Sequence, residues 1–112
     1  MSKFQECMDT FDKEFNKLGI KYDAAMLAKV AKACGPSLYS SDASKVAASD
    51  KKELERIKKN FLIKKLGLKD TPKLDEGMAD VITQIGKSNR NKYRAMFYYL
   101  LAKRFRKSGV FK

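Results

Sequence analysis

The chain has 112 residues, 44% of them hydrophobic, with 25 Lys or Arg against 13 Asp or Glu, no His, and a net charge of +12. That is one domain's length with enough apolar content for a core, and the missing imidazole removes the side chain best suited to proton transfer near neutral pH and the commonest metal ligand. The positive excess points toward polyanionic partners such as nucleic acid, acidic proteins or anionic surfaces.

Phe4, Cys7, Met8, Phe11, Phe15 and Leu18 recur at helical spacing, with Ser2 and Gln5 fitting a capping box and Gly19 closing the run. Asp23 is placed to cap a second helix through Leu27, Val30, Ala31 and Cys34, stopped by Gly35-Pro36. From Gly35 to Ser49 the pattern is irregular, with Pro36 and five serines. Leu38, Tyr39 and Val46 supply anchors there, so an ordered loop with a helical turn or two is expected. Asp50 with Glu53 fits another capping box, opening a third helix through Leu54, Ile57, Phe61 and Leu62 to Gly67. Thr71-Pro72 starts a fourth, which buries Leu74, Met78, Val81, Ile82 and Ile85 and ends at Gly86. Ser88 or Asn89 caps the fifth, running to about Lys107. No long period-2 stretch suggests a sheet, and no 20–50-residue repeat suggests a solenoid. The expectation is a single all-α domain over residues 1–112. Its architecture is a compact orthogonal bundle of about five helices, the last packed across the others, with an ordered loop between helices two and three.

Charge is unevenly spread. Residues 1–49 sum to +1, 50–70 to +4, 71–85 to −2 and 86–112 to +9. The last block holds nine Lys or Arg, no Asp or Glu, and six of the twelve aromatics. A segment that must pack and repel at once calls for something to offset its charge. No N-terminal segment reads as an export signal. The longest apolar run in that block, from Ala95 to Ala102, is eight residues, against the roughly 20 a helix needs to cross a bilayer. Cys7 and Cys34 fall on apolar faces and read as reduced core thiols. A cytoplasmic location without a membrane span is expected.

Three blocks of wording are specific. They are Lys58 to Leu68 (KKNFLIKKLGL); Gly86 to Arg94 (GKSNRNKYR) running into Phe97-Tyr98-Tyr99-Leu100-Leu101; and Gly35-Pro36-Ser37 followed by Ser41-Asp42-Ala43-Ser44. Together they span most of the chain, which resembles a family of small bacterial proteins known only as a domain of unknown function. The resemblance implies a compact helical domain in a bacterial cytoplasm. It supplies no activity, substrate or catalytic residue.

Neither a cofactor nor a metal is expected. Two distant cysteines do not make a zinc site, and no acidic cluster has calcium-loop spacing. Asp9, Asp12 and Glu14 read as a solvated face of the first helix, with Asp9 and Lys13 paired at i,i+4. Asp75 and Glu76 complement the dipole of the fourth helix. Gly86-Lys87-Ser88 ends like a phosphate loop, but Val81 stands where that motif needs its first glycine, and the region reads as helix. What remains is an anion site made by Lys87, Ser88 and the N–H groups opening the last helix, against the plainer reading of a capped turn.

On a wheel of 100° per residue, Tyr93, Met96, Phe97, Leu100 and Leu101 form the main apolar stripe of the last helix, extended by Tyr98 and Phe105. Roughly opposite lie Lys92, Tyr99, Lys103 and Arg106, spaced by 7, 4 and 3. An aromatic with three cations suits a phosphate backbone plus a stacked base or sugar. The competing reading takes Tyr99 as part of a second packing face, since a helix apolar nearly all round is usually a buried hub. In the third helix Lys52, Arg56 and Lys59 share a side away from Leu54, Ile57 and Phe61; the plain alternative is a solvated face. The function these residues support best is a non-catalytic nucleic-acid-binding module. Lys52, Arg56, Lys59, Lys92, Lys103 and Arg106 would neutralise phosphates, and Tyr99 would stack. No base-specific reader motif is present. The alternative is a protein-interaction domain whose basic face meets an acidic partner. A histidine-free enzyme is a third reading, which a pocket enclosing Asp or Glu beside Lys or Tyr would revive.

Overall fold

Helix α1 (Lys3–Leu18) turns Phe11 and Phe15 into the core. The computed structural model describes residues 3–35, 39, 45–46, 50–86 and 92–107, so Ser2 and its half of the expected capping box lie outside them. The helix stops at Gly19, whose φ of 71° suits glycine. There the Ile20 N–H reaches back to the Phe15 carbonyl at 2.9 Å, the closing bond of a Schellman turn.

Helix α2 (Ala24–Cys34) starts as its sequence indicates. The Asp23 carboxylate accepts the N–H groups of Ala25 and Met26, at 3.0 and 3.3 Å. Met26, Leu27, Val30 and Ala31 are buried. In the loop that follows, Val46 is an anchor, being buried and donating its N–H to the Lys92 carbonyl at 2.7 Å beside an antiparallel bridge between Lys45 and Tyr93. Tyr39 is not one, because it is 49% exposed. Leu38 lies outside the described residues.

Helix α3 (Lys51–Ile57) opens with half a capping box. Asp50 accepts the Lys52 N–H at 2.9 Å, but the Glu53 carboxylate turns away to Arg94 at 2.6 Å. The helix then widens without a break into a π-helical stretch, Lys58–Ile63, where an uninterrupted α-helix to Gly67 was expected. The packing accounts for the difference. Ile57, Phe61, Leu62 and Leu66 are all buried, yet at 3.6 residues per turn Ile57 and Leu66 would face opposite ways. The wider i→i+5 turn, seen in the Lys64 N–H to Lys59 carbonyl bond (3.2 Å) and the Leu66 N–H to Phe61 carbonyl bond (2.9 Å), keeps all four on one side.

Helix α4 (Pro72–Ile85) begins after an extended Thr71, with Pro72 in its first turn, and buries Leu74, Gly77, Met78, Val81 and Ile85. Helix α5 (Arg94–Arg104) buries seven of its eleven residues. It starts several residues later than expected, and Ser88 and Asn89 lie outside the described residues. It packs on α2 and α4. Its other neighbours meet it through rings. Phe11 lies 5.4 Å from Tyr93, Phe15 sits edge-on to Tyr99 at 5.7 Å, and Phe61 stacks on Tyr98 at 4.1 Å. This is the expected all-α bundle built around its last helix. The radius of gyration, 13.0 Å, is about what a compact chain of this length has.

Candidate nucleic-acid interface

Local structure sorts the basic residues into three groups. The first is buried. Tyr99 is 1% exposed, packed against Phe15, with its hydroxyl accepting the Asp23 N–H at 2.8 Å. It has no face left for a base, so its assigned stacking role is corrected. Lys92 is 5% exposed, its carbonyl holds the bridge to Val46, and burial pulls its ammonium below the usual lysine range. The side of α5 read as a binding stripe is therefore its second packing face over most of its length.

A second group is matched by carboxylates from other elements. The Arg94 guanidinium meets Glu53 at 2.6 Å and donates to the Tyr98 hydroxyl at 3.0 Å. Lys58 reaches Asp70 at 3.2 Å and Asp75 at 3.4 Å, and these contacts raise its pKa. Arg104 pairs with Asp80 at 3.1 Å.

The third group is open. Lys52, Lys59, Lys103 and Arg106 are exposed and make no ion pair among the described residues. Arg56, with 73% of its side chain exposed, has only a 3.9 Å approach to Glu53. Lys87 and Ser88 lie outside the described residues. Arg106 is also the one described non-glycine residue with positive φ, at 56°. It ends α5 three residues short of the expected limit, with the Lys107 N–H returning to the Ala102 carbonyl at 2.8 Å.

Chain neighbours of both open sets, Lys58 and the Arg104-Phe105 pair, reach the entrance of α4. On one side Asp75 contacts Lys58, the neighbour of Lys59. On the other, Lys73, Leu74 and Glu76 share a cavity of about 430 Å³ with Leu68, Lys69, Thr71, Arg104 and Phe105. Lys103 and Arg106 flank that Arg104-Phe105 pair in the chain. The cavity was not foreseen from the sequence. Its one signal is Gly77, a glycine inside a helix, over which the Phe105 ring lies. Glu76, Lys69 and Lys73 are all solvent-exposed.

Both cysteines are thiols rather than a disulfide, and both are partly buried. Burial pushes Cys34 up to about 11 and also raises Cys7. Among the described residues no group of three His, Cys, Asp or Glu side chains gathers that could hold a metal. No helix there is long and apolar enough to cross a membrane.

Fold and surface together define a small, basic, all-helical domain with an apolar last helix at its centre. The chain belongs to the family described as Protein of unknown function (DUF2853), whose model matches residues 11–109. No curated protein matches it.

Proposed function

We propose that the chain is a non-catalytic nucleic-acid-binding module of the bacterial cytoplasm. It holds phosphates with Lys52, Arg56, Lys59, Lys103 and Arg106. The observation that supports this is the sorting of charge. Carboxylates elsewhere in the fold neutralise Arg94, Lys58 and Arg104, while the exposed cations Lys52, Lys59, Lys103 and Arg106 have no ion-pair partner among the described residues. Binding then proceeds by counterion release. Engaging about four phosphates on a single strand gives a log–log salt slope near −2.8, or roughly 50-fold weaker binding between 50 and 200 mM salt.

Electrophoretic mobility shift on random-sequence DNA and RNA, at low and moderate salt, tests this. The expected result is a shift at micromolar protein that fades with salt and weakens in Lys52→Gln/Lys59→Gln and in Lys103→Gln/Arg106→Gln. Absence of any shift in low salt removes the proposal. A co-purifying acidic protein with no ultraviolet signature of nucleic acid would instead select the protein-interaction reading.

A further inference from the structure

We infer that the cavity between the entrance of α4 and the end of α5 seats one unpaired nucleotide, so that the protein prefers single-stranded to duplex nucleic acid. This deepens the proposed function and rests on it. The cavity combines two kinds of surface. Leu68, Leu74 and Phe105 give it apolar walls, and Lys69, Lys73 and Arg104 bring three cations from two directions. Its volume, about 430 Å³, falls in the range of small-ligand sites.

A nucleotide carries the complement of both surfaces: a planar base with apolar faces, and an anionic phosphate. The aromatic wall is held in advance. Gly77 has no side chain, and a Cβ there would stand 2.7 Å from Phe105 Cε2. The ring therefore lies directly on α4. The Arg104 guanidinium sits over the same ring at 5.7 Å and is fixed from behind by Asp80 at 3.1 Å. An arginine on an aromatic, both positioned before binding, is a stacking platform with little ordering left to do. Among the described residues Glu76 is the one carboxylate on the lining, and its repulsion would favour a phosphate held by Lys69 and Lys73. Duplex nucleic acid keeps its bases paired and stacked and presents phosphates alone, so it can use the open cations but not the cavity. An acidic peptide would satisfy the lysines but gains nothing particular from the platform.

Fluorescence anisotropy on the full chain tests this, with a mixed-sequence strand of about 12 nucleotides, within the usual range of single-strand site sizes, and the duplex of the same sequence. The wild type should bind the single strand at least about 5-fold more tightly, the lower end of what one base–aromatic stack contributes. Phe105→Leu should remove that preference and leave duplex binding unchanged. Lys69→Gln/Lys73→Gln changes only exposed side chains and keeps the core, and it should lower single-strand binding selectively. Lys52→Gln/Lys59→Gln should weaken both probes alike. Equal wild-type affinity for strand and duplex overturns the inference while leaving the proposed function standing. Binding to neither probe overturns both. Poly-glutamate binding as tightly as the single strand, with the same loss in Phe105→Leu, overturns the nucleotide assignment in favour of an acidic protein.

Discussion

Replacing Arg106 by glycine should stabilise the fold and weaken its binding at once. Arg106 stands just past α5 at φ 56°, its N–H on the Lys103 carbonyl at 3.2 Å, and the next N–H closes on Ala102 at 2.8 Å. This is the position glycine normally takes at the end of a helix. An L-residue there costs roughly 1–2 kcal/mol, and the extra freedom of glycine in the unfolded chain returns roughly 0.5–1 kcal/mol of that. The net gain for Arg106→Gly is about 0.5–1 kcal/mol, which raises Tm by about 2–6 °C in a domain of this size. The same change deletes one exposed cation, so the salt slope of nucleic-acid binding should shrink by about 0.7–0.9. Opposite movements of stability and affinity separate a lost phosphate contact from a damaged fold. Arg106→Ala is the control, with Tm near that of the wild type and binding like Arg106→Gly. Thermal and urea unfolding followed by circular dichroism, with anisotropy at several salt concentrations, give both numbers. A Tm that falls in Arg106→Gly refutes the left-handed turn, and an unchanged salt slope refutes the phosphate contact.

Tyr99→Phe should cost about 1 kcal/mol in urea unfolding, because the Asp23 N–H loses its acceptor. Affinity for nucleic acid, measured well below the transition, should not move; a neutral effect on stability would contradict the buried placement. Cys34 is held protonated by the fold up to about 11 against an ordinary 9.0. Its contribution to stability is therefore complete below pH 9 and is lost as pH climbs from 9 toward 11, because the unfolded thiol ionises first. Urea midpoints across that window should fall less steeply for Cys34→Ala than for the wild type, and parallel curves would exclude the thiol as the cause. Gly77→Ala alone should bring no gain, because the new methyl displaces the Phe105 ring. In a Phe105→Ala background the same change should stabilise α4 by about 0.5–1 kcal/mol, the helix preference of alanine over glycine; additivity in that double-mutant cycle would show that the two residues do not touch.

What the sequence reveals here is local. Asp23 and Asp50 cap, and Gly19, Gly35, Gly67 and Gly86 terminate, because capping oxygens and left-handed glycines act within a few residues of themselves. Glu53 misleads for the opposite reason. Three residues after Asp50 it completes a capping pattern, yet a guanidinium 41 positions away takes its carboxylate at 2.6 Å. The widened turn after Ile57 is written in the spacing of Ile57, Phe61, Leu62 and Leu66, but a wheel fixed at 3.6 residues per turn cannot display it. Tyr99 fails differently. A helix with apolar residues on every side does not say which face meets water, and only the packing of Phe15 and the Asp23 N–H decides. The cavity joins Leu68 to Phe105 across the fold, a proximity that exists only once α5 has docked on α4.

The acid-free C-terminal block thus exerts less charge than its composition states, and the reason lies in where its cations fall along α5. Arg94 occupies the first turn, which has no acidic residue and where the helix dipole disfavours a cation by about 0.3–1 kcal/mol. Glu53 offsets that from α3. Arg104 occupies the last turn, where the dipole favours it, and still finds Asp80 on α4. Lys92 is buried. Two of the block's cations, Arg94 and Arg104, take acids from neighbouring helices, so docking α5 both buries its aromatics and lowers its self-repulsion. Among the cations that stay open are Lys103 and Arg106 at the end of α5, and Lys52 and Lys59 on α3 and its π-helical extension.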